Sequence, residues 1–152
     1  MIGEDLLITG ICKSILNNLT IFKLLNIDTS LILPNDKPDI KKLISTDIKI
    51  KILYKKIIET VVATSLEGQR LTGKVLLLDG YVYQTIKYET NDENLTVYSD
   101  INQIPFSTYI ILDKDISKCE LVVTGYIEDA CIKLINERTI FSSLTILLDV
   151  KN

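Results

Sequence analysis

Residues branched at Cβ occupy 47 of the 152 positions, 25 Ile, 8 Val and 14 Thr, whereas Ala occurs only twice. A branched Cβ crowds the preceding turn of a helix but packs well on a pleated sheet. Ala, the strongest helix former, is nearly missing. This imbalance predicts a mainly β protein. The length suits one domain with a full apolar interior. With 47% hydrophobic and 24% charged residues, and only 3 Pro and 6 Gly, the composition excludes a disordered or collagen-like chain.

Patterning along the chain gives the elements. Residues 5–16 fit neither period cleanly: Ile8, Ile11 and Ile15 have helical spacing, and Asn17-Asn18 suits a hairpin turn. Thr20 to Leu33 reads as a strand. A short helix is expected near residues 37–45, with Asp36 or Lys37 at its N-cap, Pro38 in its first turn and Asp39 facing the positive end of its dipole. Ile40, Leu43 and Ile44 then take i, i+3 and i+4. From Asp47 the period becomes two, as Ile48, Ile50 and Ile52 alternate with Lys49 and Lys51, and the run continues to Val62. Further strands are expected at Leu71–Leu78, Gly80–Tyr88, Leu95–Tyr98, Ile104–Leu112, Glu120–Ile127, Cys131–Ile135 and Thr139–Val150. Turns are expected at Glu67-Gly68, Thr90–Asn94, Asp113–Ser117 and Asn136-Glu137. The reading is an antiparallel sandwich or barrel-like fold of about seven to eight strands, in one domain spanning residues 1–152.

Several functions are excluded by residue type. With no histidine, the chain has no imidazole base, no Ser-His-Asp or Cys-His machinery and no His-containing metal site. Cys12, Cys119 and Cys131 are widely spaced and odd in number, a poor set for a thiolate metal centre and one suited to a reducing compartment. No cofactor or metal is expected. Asp113-Lys114-Asp115 lacks the glycine and distal glutamate of a calcium loop. The carboxylates Asp113, Asp115, Glu128 and Asp129 read as solvated loop residues, so no catalytic residue is assigned. A net charge of −3 lacks the basic excess that nucleic-acid binding uses. No apolar run approaches the roughly 18 residues of a transmembrane segment, and the acidic opening differs from a signal peptide.

Two features remain as interaction candidates. Tyr81 and Tyr83 share one sheet face by period two, and an exposed tyrosine pair offers rigid amphipathic contact area for a protein or a glycan. Charge is also polarised along the chain. Residues 1–74 hold 11 Lys/Arg against 8 Asp/Glu, and residues 75–152 hold 6 against 12. That asymmetry can steer association between copies.

Several short segments occur in a distinctive order. They are Leu33-Pro34 with Lys37-Pro38-Asp39-Ile40, Thr72-Gly73-Lys74-Val75 followed by Gly80-Tyr81-Val82, and Ile86-Lys87-Tyr88. Val97-Tyr98-Ser99, Ile104-Pro105-Phe106-Ser107, Ile127-Glu128-Asp129 and Arg138-Thr139-Ile140-Phe141 complete the series. Together they resemble the SPOCS domain of clostridial spore-coat morphogenetic proteins, over about Thr20 to Val150. The resemblance implies assembly in the spore coat and supplies no catalytic residue. Family members join this domain to others, notably a LysM module, whereas this sequence holds one copy.

The expectation is therefore a non-enzymatic structural protein of the spore coat or exosporium, made in the mother-cell cytoplasm. Its partners would be itself, as an oligomer or polymer, and other coat proteins. Residues 1–19, with Ile8, Ile11 and Ile15, are the candidate assembly arm. Pro105 is expected just after a strand start or on a sheet edge, Phe106 as a core anchor, and Gly73 and Gly80 at bends between paired strands.

Overall fold

The β-branched composition is expressed almost without interruption. The computed structural model describes residues 6–14, 19–113, 116 and 121–151, and among these are seven strands and no helix. In chain order they are β1 (Leu7–Thr9), β2 (Ile21–Ile32), β3 (Ile40–Thr64), β4 (Arg70–Thr90), β5 (Val97–Ile111), β6 (Val122–Asn136) and β7 (Thr139–Lys151). They form two sheets, one in the order β1-β3-β4-β5 and one in the order β2-β7-β6. β1 runs parallel to β3, and the other pairings are antiparallel.

Period-two alternation is cleanest in the central strands, and it builds the interior. Leu76, Leu78, Val82, Ile86 and Tyr88 of β4 belong to the same buried cluster as Ile140, Leu144, Ile146, Leu148 and Val150 of β7. Ile104, Phe106 and Ile110 of β5 and Ile48 of β3 extend it. One polar bond lies inside. Gln84 Nε2 donates to Ser142 Oγ at 2.8 Å, and both residues are buried. Asn102 Nδ2 donates to Gln84 Oε1 at 3.4 Å, which occupies the acceptor side of the same amide.

The helix expected near residues 37–45 does not form. Asn35 and Asp36 make a turn, closed by Lys37 N–H donating to Pro34 O at 3.0 Å, and Ile40 already begins β3. The helical spacing has another cause. Register shifts between Ile40 and Lys42 and between Leu43 and Ser45 each add a residue to β3 against β4. A bulge of this kind turns a period of two locally into three. Ile40, Leu43, Thr46 and Ile48 are consequently the buried positions, and the first three have the spacing of a helical stripe.

Strands that the sequence divides prove continuous. Leu71–Leu78 and Gly80–Tyr88 lie on one strand, because Gly80 marks a close approach and not a bend. A Cβ there would fall 2.4 Å from Lys51 O and 2.8 Å from the Phe106 ring. The irregularity lies across the ladder, in a register shift between Ile52 and Tyr54 of β3. Leu95–Tyr98 and Ile104–Leu112 are likewise largely one strand, β5, and the expected strand at Cys131–Ile135 is continuous with residues 122–127 in β6. The expected turns at Glu67-Gly68, Asn91–Asn94 and Glu137 are present, with Gly68 at φ 88°.

The buried Gln84–Ser142 bond gives a test of the core. Ser142→Ala leaves the Gln84 amide without its acceptor, and a buried donor left unpaired costs about 1–3 kcal/mol. Urea unfolding of Ser142→Ala should therefore show a stability loss of that order, with an unchanged denaturant slope. A variant as stable as the parent would mean that the amide finds another acceptor.

Candidate interaction surfaces

The Lys37-Pro38-Asp39-Ile40 motif lies in the crossover from one sheet to the other and on the first residue of β3. Arg138, in the β6–β7 turn, grips this crossover. Its Nη1 donates to Asp39 Oδ1 at 2.8 Å, and its Nη2 donates to Pro34 O. Backbone bonds flank the grip: Leu33 N–H donates to Arg138 O at 2.9 Å and Ile40 N–H to Glu137 O at 2.8 Å. Lys37 reaches the other sheet, with Nζ 3.7 Å from Asp100 Oδ1 and 5.5 Å from the centroid of the Tyr98 ring. Asp100 also accepts a 3.0 Å bond from the Tyr88 hydroxyl, whose ring stacks on Tyr98 at 6.0 Å. Burial first, and then the bond to the Asp100 carboxylate, hold the Tyr88 phenol well above its ordinary pKa. These contacts join the two sheets at one end of the molecule.

Tyr81 and Tyr83 stand on the outer face of the larger sheet, half-buried, with ring centroids 6.0 Å apart. Their cross-strand neighbours are Lys51 and Lys49 on β3 and Pro105 and Gln103 on β5. Pairs of this kind bring side chains within contact range. The result is a surface of two phenols between two exposed lysines and a polar edge. Pro105 sits on β5, an edge strand, and is exposed, whereas Phe106 points inward against Gly80. Gly73 has φ 102° and faces the register shift between Glu59 and Val62, a backbone shape that glycine adopts without strain.

The N-terminal candidates pack on their own chain. Ile8 lies on β1, opposite Thr46, and Ile11 forms a bridge to Ile127, where Cys12 N–H donates to Ile127 O at 2.8 Å. Both isoleucines are partly buried against the core. Ile15 and the Asn17-Asn18 turn lie outside the described residues, as do Asp115 and Cys119. Cys12 is half-buried and Cys131 exposed, both as free thiols. Glu128 and Asp129 are exposed at a register shift in β6, and Asp129 Oδ1 accepts from Ala130 N–H at 2.9 Å. Asp113 follows β5, on the other sheet. Among the described residues, no three acidic or cysteine side chains converge as a metal site, and no helix is long and apolar enough to cross a membrane.

Two surfaces escape a reading by periodicity. β5 ends at Ile111 opposite Val75 and Leu112 N–H still donates to Lys74 O at 3.0 Å, yet among the described residues β3 and β4 continue past that point as a two-stranded hairpin. Val61, Val62 and Leu66 on this hairpin are 73%, 60% and 107% exposed. The outer face of the smaller sheet carries a groove of about 320 Å³ lined by Phe22, Leu24, Tyr126, Leu147, Leu19 and Glu128, among others. The only sequence signal of the hairpin is its length, and the groove joins residues from three strands. Comparison of the chain with protein-family models, curated proteins and solved structures found no match.

The Tyr88–Asp100 bond predicts an alkaline limb of stability. A phenol whose pKa is raised by folding stays protonated in the native state while the unfolded chain begins to ionise near pH 10. The unfolded state then binds fewer protons, so stability falls as pH rises above about 10. Urea unfolding across pH 8 to 11 should show this fall, with a shallower slope in Tyr88→Phe. At neutral pH that variant should lose roughly 1–2 kcal/mol with its bond to the carboxylate. Equal slopes in the two proteins would refute the assignment.

Proposed function

We propose that this chain is a non-enzymatic structural protein of the bacterial spore coat or exosporium, a β-sandwich that assembles with itself and with other coat proteins. The resemblance of its ordered motifs to SPOCS domains supplies the biological setting. Synthesis in the mother-cell cytoplasm and later residence in the coat follow from the same reading. The observation that carries self-assembly is the edge strand β5. It runs for 15 residues, has β4 as its one strand neighbour among the described residues, and exposes Val97 and Ile101. A long edge strand is a template for another strand, and soluble proteins commonly blunt it. Here Pro105 interrupts the donors over only part of its length.

The N-terminal segment is the second assembly element. Among the described residues, a three-residue ladder to β3, the bridge at Ile11 and the bonds of Thr9 and Cys12 hold it to its own chain, a short pairing of the kind that can exchange with a neighbouring copy. A second reading, a monomeric binding module for a coat protein or glycan, rests on the Tyr81/Tyr83 face. The flanking lysines favour an acidic partner there. Tyr81→Ala/Tyr83→Ala should then abolish capture of coat partners without altering the fold, and unchanged capture would remove this reading.

Light scattering coupled to size exclusion, with negative-stain microscopy, tests self-assembly on the full chain. Species heavier than the 17.2 kDa chain should grow with concentration. They should diminish in Ile101→Lys and after deletion of residues 1–19. A monomer at every concentration would sink the structural reading.

A further inference from the structure

Among the described residues, β5 has a strand neighbour on one side only. Its register on β4 is unbroken from Val97 to Ile111, and the two ends of the ladder show which residues bond inward. Leu112 N–H donates to Lys74 O at 3.0 Å, and Thr90 N–H donates to Thr96 O at 2.9 Å. Bonded and non-bonded pairs alternate along an antiparallel ladder. The even-numbered residues of β5 therefore exchange bonds with β4, and the odd-numbered ones turn their N–H and C=O groups to the free edge. Two observations agree. Lys23 Nζ, from the smaller sheet, donates to Tyr109 O at 2.8 Å, and Pro105, which has no N–H to give a ladder, takes an odd position.

These two features divide the edge. Lys23 caps it near Tyr109, Pro105 withholds a donor, and Val97 to Gln103 is left as a run with neither device. Val97, Ser99, Ile101 and Gln103 share the outer face, all exposed and none charged. Asp100, the one charged residue of the run, lies on the other face, where the Lys37 ammonium and the Tyr88 hydroxyl answer its charge within the chain.

We propose that this run pairs antiparallel with the same run of a second copy, about a two-fold axis at Ile101. Self-complementarity selects both the occupant and the register. Ile101 then faces the second copy's Ile101, Ser99 faces its Gln103 and Val97 faces its Pro105, so apolar meets apolar and polar meets polar. On the inner face Asp100 lies across from Asn102. The registers on either side are worse. An axis at residue 100 sets Asp100 against the second copy's Asp100, a like-charge pair that destabilises a sheet. An axis at residue 102 brings Pro105 inside the paired run and sets Ile101 against Gln103 and Val97 against Ser107, apolar against polar. With the axis at Ile101, Pro105 falls in the last pair, where its carbonyl still accepts from Val97 N–H. The two larger sheets become one, with β1 at both outer margins. The inference rests on the self-assembly reading and deepens it: β5 closes a dimer, and the N-terminal segments at its margins are left to join dimers to one another.

Sedimentation velocity of the full chain carrying Gln103→Pro tests the pairing, with circular dichroism to confirm folding. Proline at this odd position removes an edge-facing donor on each side of the axis and leaves the ladder to β4 intact. Dimerisation should weaken by about tenfold or more. Disulfide trapping under oxidised glutathione reads the register without relying on stability. In a chain with Cys12→Ser, Cys119→Ser and Cys131→Ser, Ile101→Cys should cross-link to itself, since facing residues of an antiparallel pair lie within disulfide reach. Ser99→Cys and Gln103→Cys should cross-link when mixed and far less when each is alone. Cross-linking of Ile101→Cys with Ser99→Cys but not with itself overturns the inference. So does an undiminished dimer in folded Gln103→Pro, or the absence of all these cross-links while the parent still forms heavier species; either result leaves assembly through other surfaces standing. A parent that stays monomeric at every concentration overturns the self-assembly reading as well.

Discussion

Everything in this fold hangs on the apposed inner faces of β4 and β7, the central strands of the two sheets. Each is buried at alternate positions over most of its length, and their apolar side chains form one cluster. A slip of one residue in either strand would turn the buried set outward. The Gln84–Ser142 bond adds a polar condition to that apolar one. A misregistered pairing would leave an amide and a hydroxyl unpaired in the interior, so the bond discriminates between registers more than it adds net stability.

The margins of the two sheets are joined differently. Three lysines project from strands and place their ammonium groups on backbone carbonyls elsewhere: Lys23 on Tyr109 O at 2.8 Å, Lys55 on Leu121 O, and Lys74 on Ile116 O. Lys23 also lies 4.2 Å from the centroid of the Tyr109 ring, and its burial lowers its pKa. Long lysine stems cover apolar surface while the charged head finds an oxygen. The basic excess of the first half of the sequence is thus partly structural. At the other end Arg138 fixes the crossover by a carboxylate and a carbonyl together, a forked geometry that lysine does not offer.

This division explains what the sequence made legible. Strand-rich composition and period two identify the class and most of the strands, because alternation directly records one buried face. The expected helix fails for the same physical reason in reverse: bulges at Ile40–Ser45 give a strand the spacing of a helix. Gly80 looks like punctuation until the Phe106 ring is seen against it, a contact between positions 26 residues apart in the chain. The Tyr81/Tyr83 face was visible because both residues lie on one strand. The groove was not, since Phe22, Tyr126 and Leu147 meet only after two pairings have formed. Local pattern reports the face a residue takes, and nothing about which distant strand completes the surface.

Unequal strand lengths carry the remaining information. β3 has 25 residues and β4 has 21, whereas β5 has 15, so the hairpin cannot be covered by its own sheet along its full length. A chain that needed only a stable interior would gain little from the excess, because Val61, Val62 and Leu66 bury little here. Exposed apolar residues in isolation are ordinary. Clustered at the end of a hairpin, they are a liability unless something covers them. The mismatch between two strands and their shorter neighbour is thus what leaves these three residues exposed.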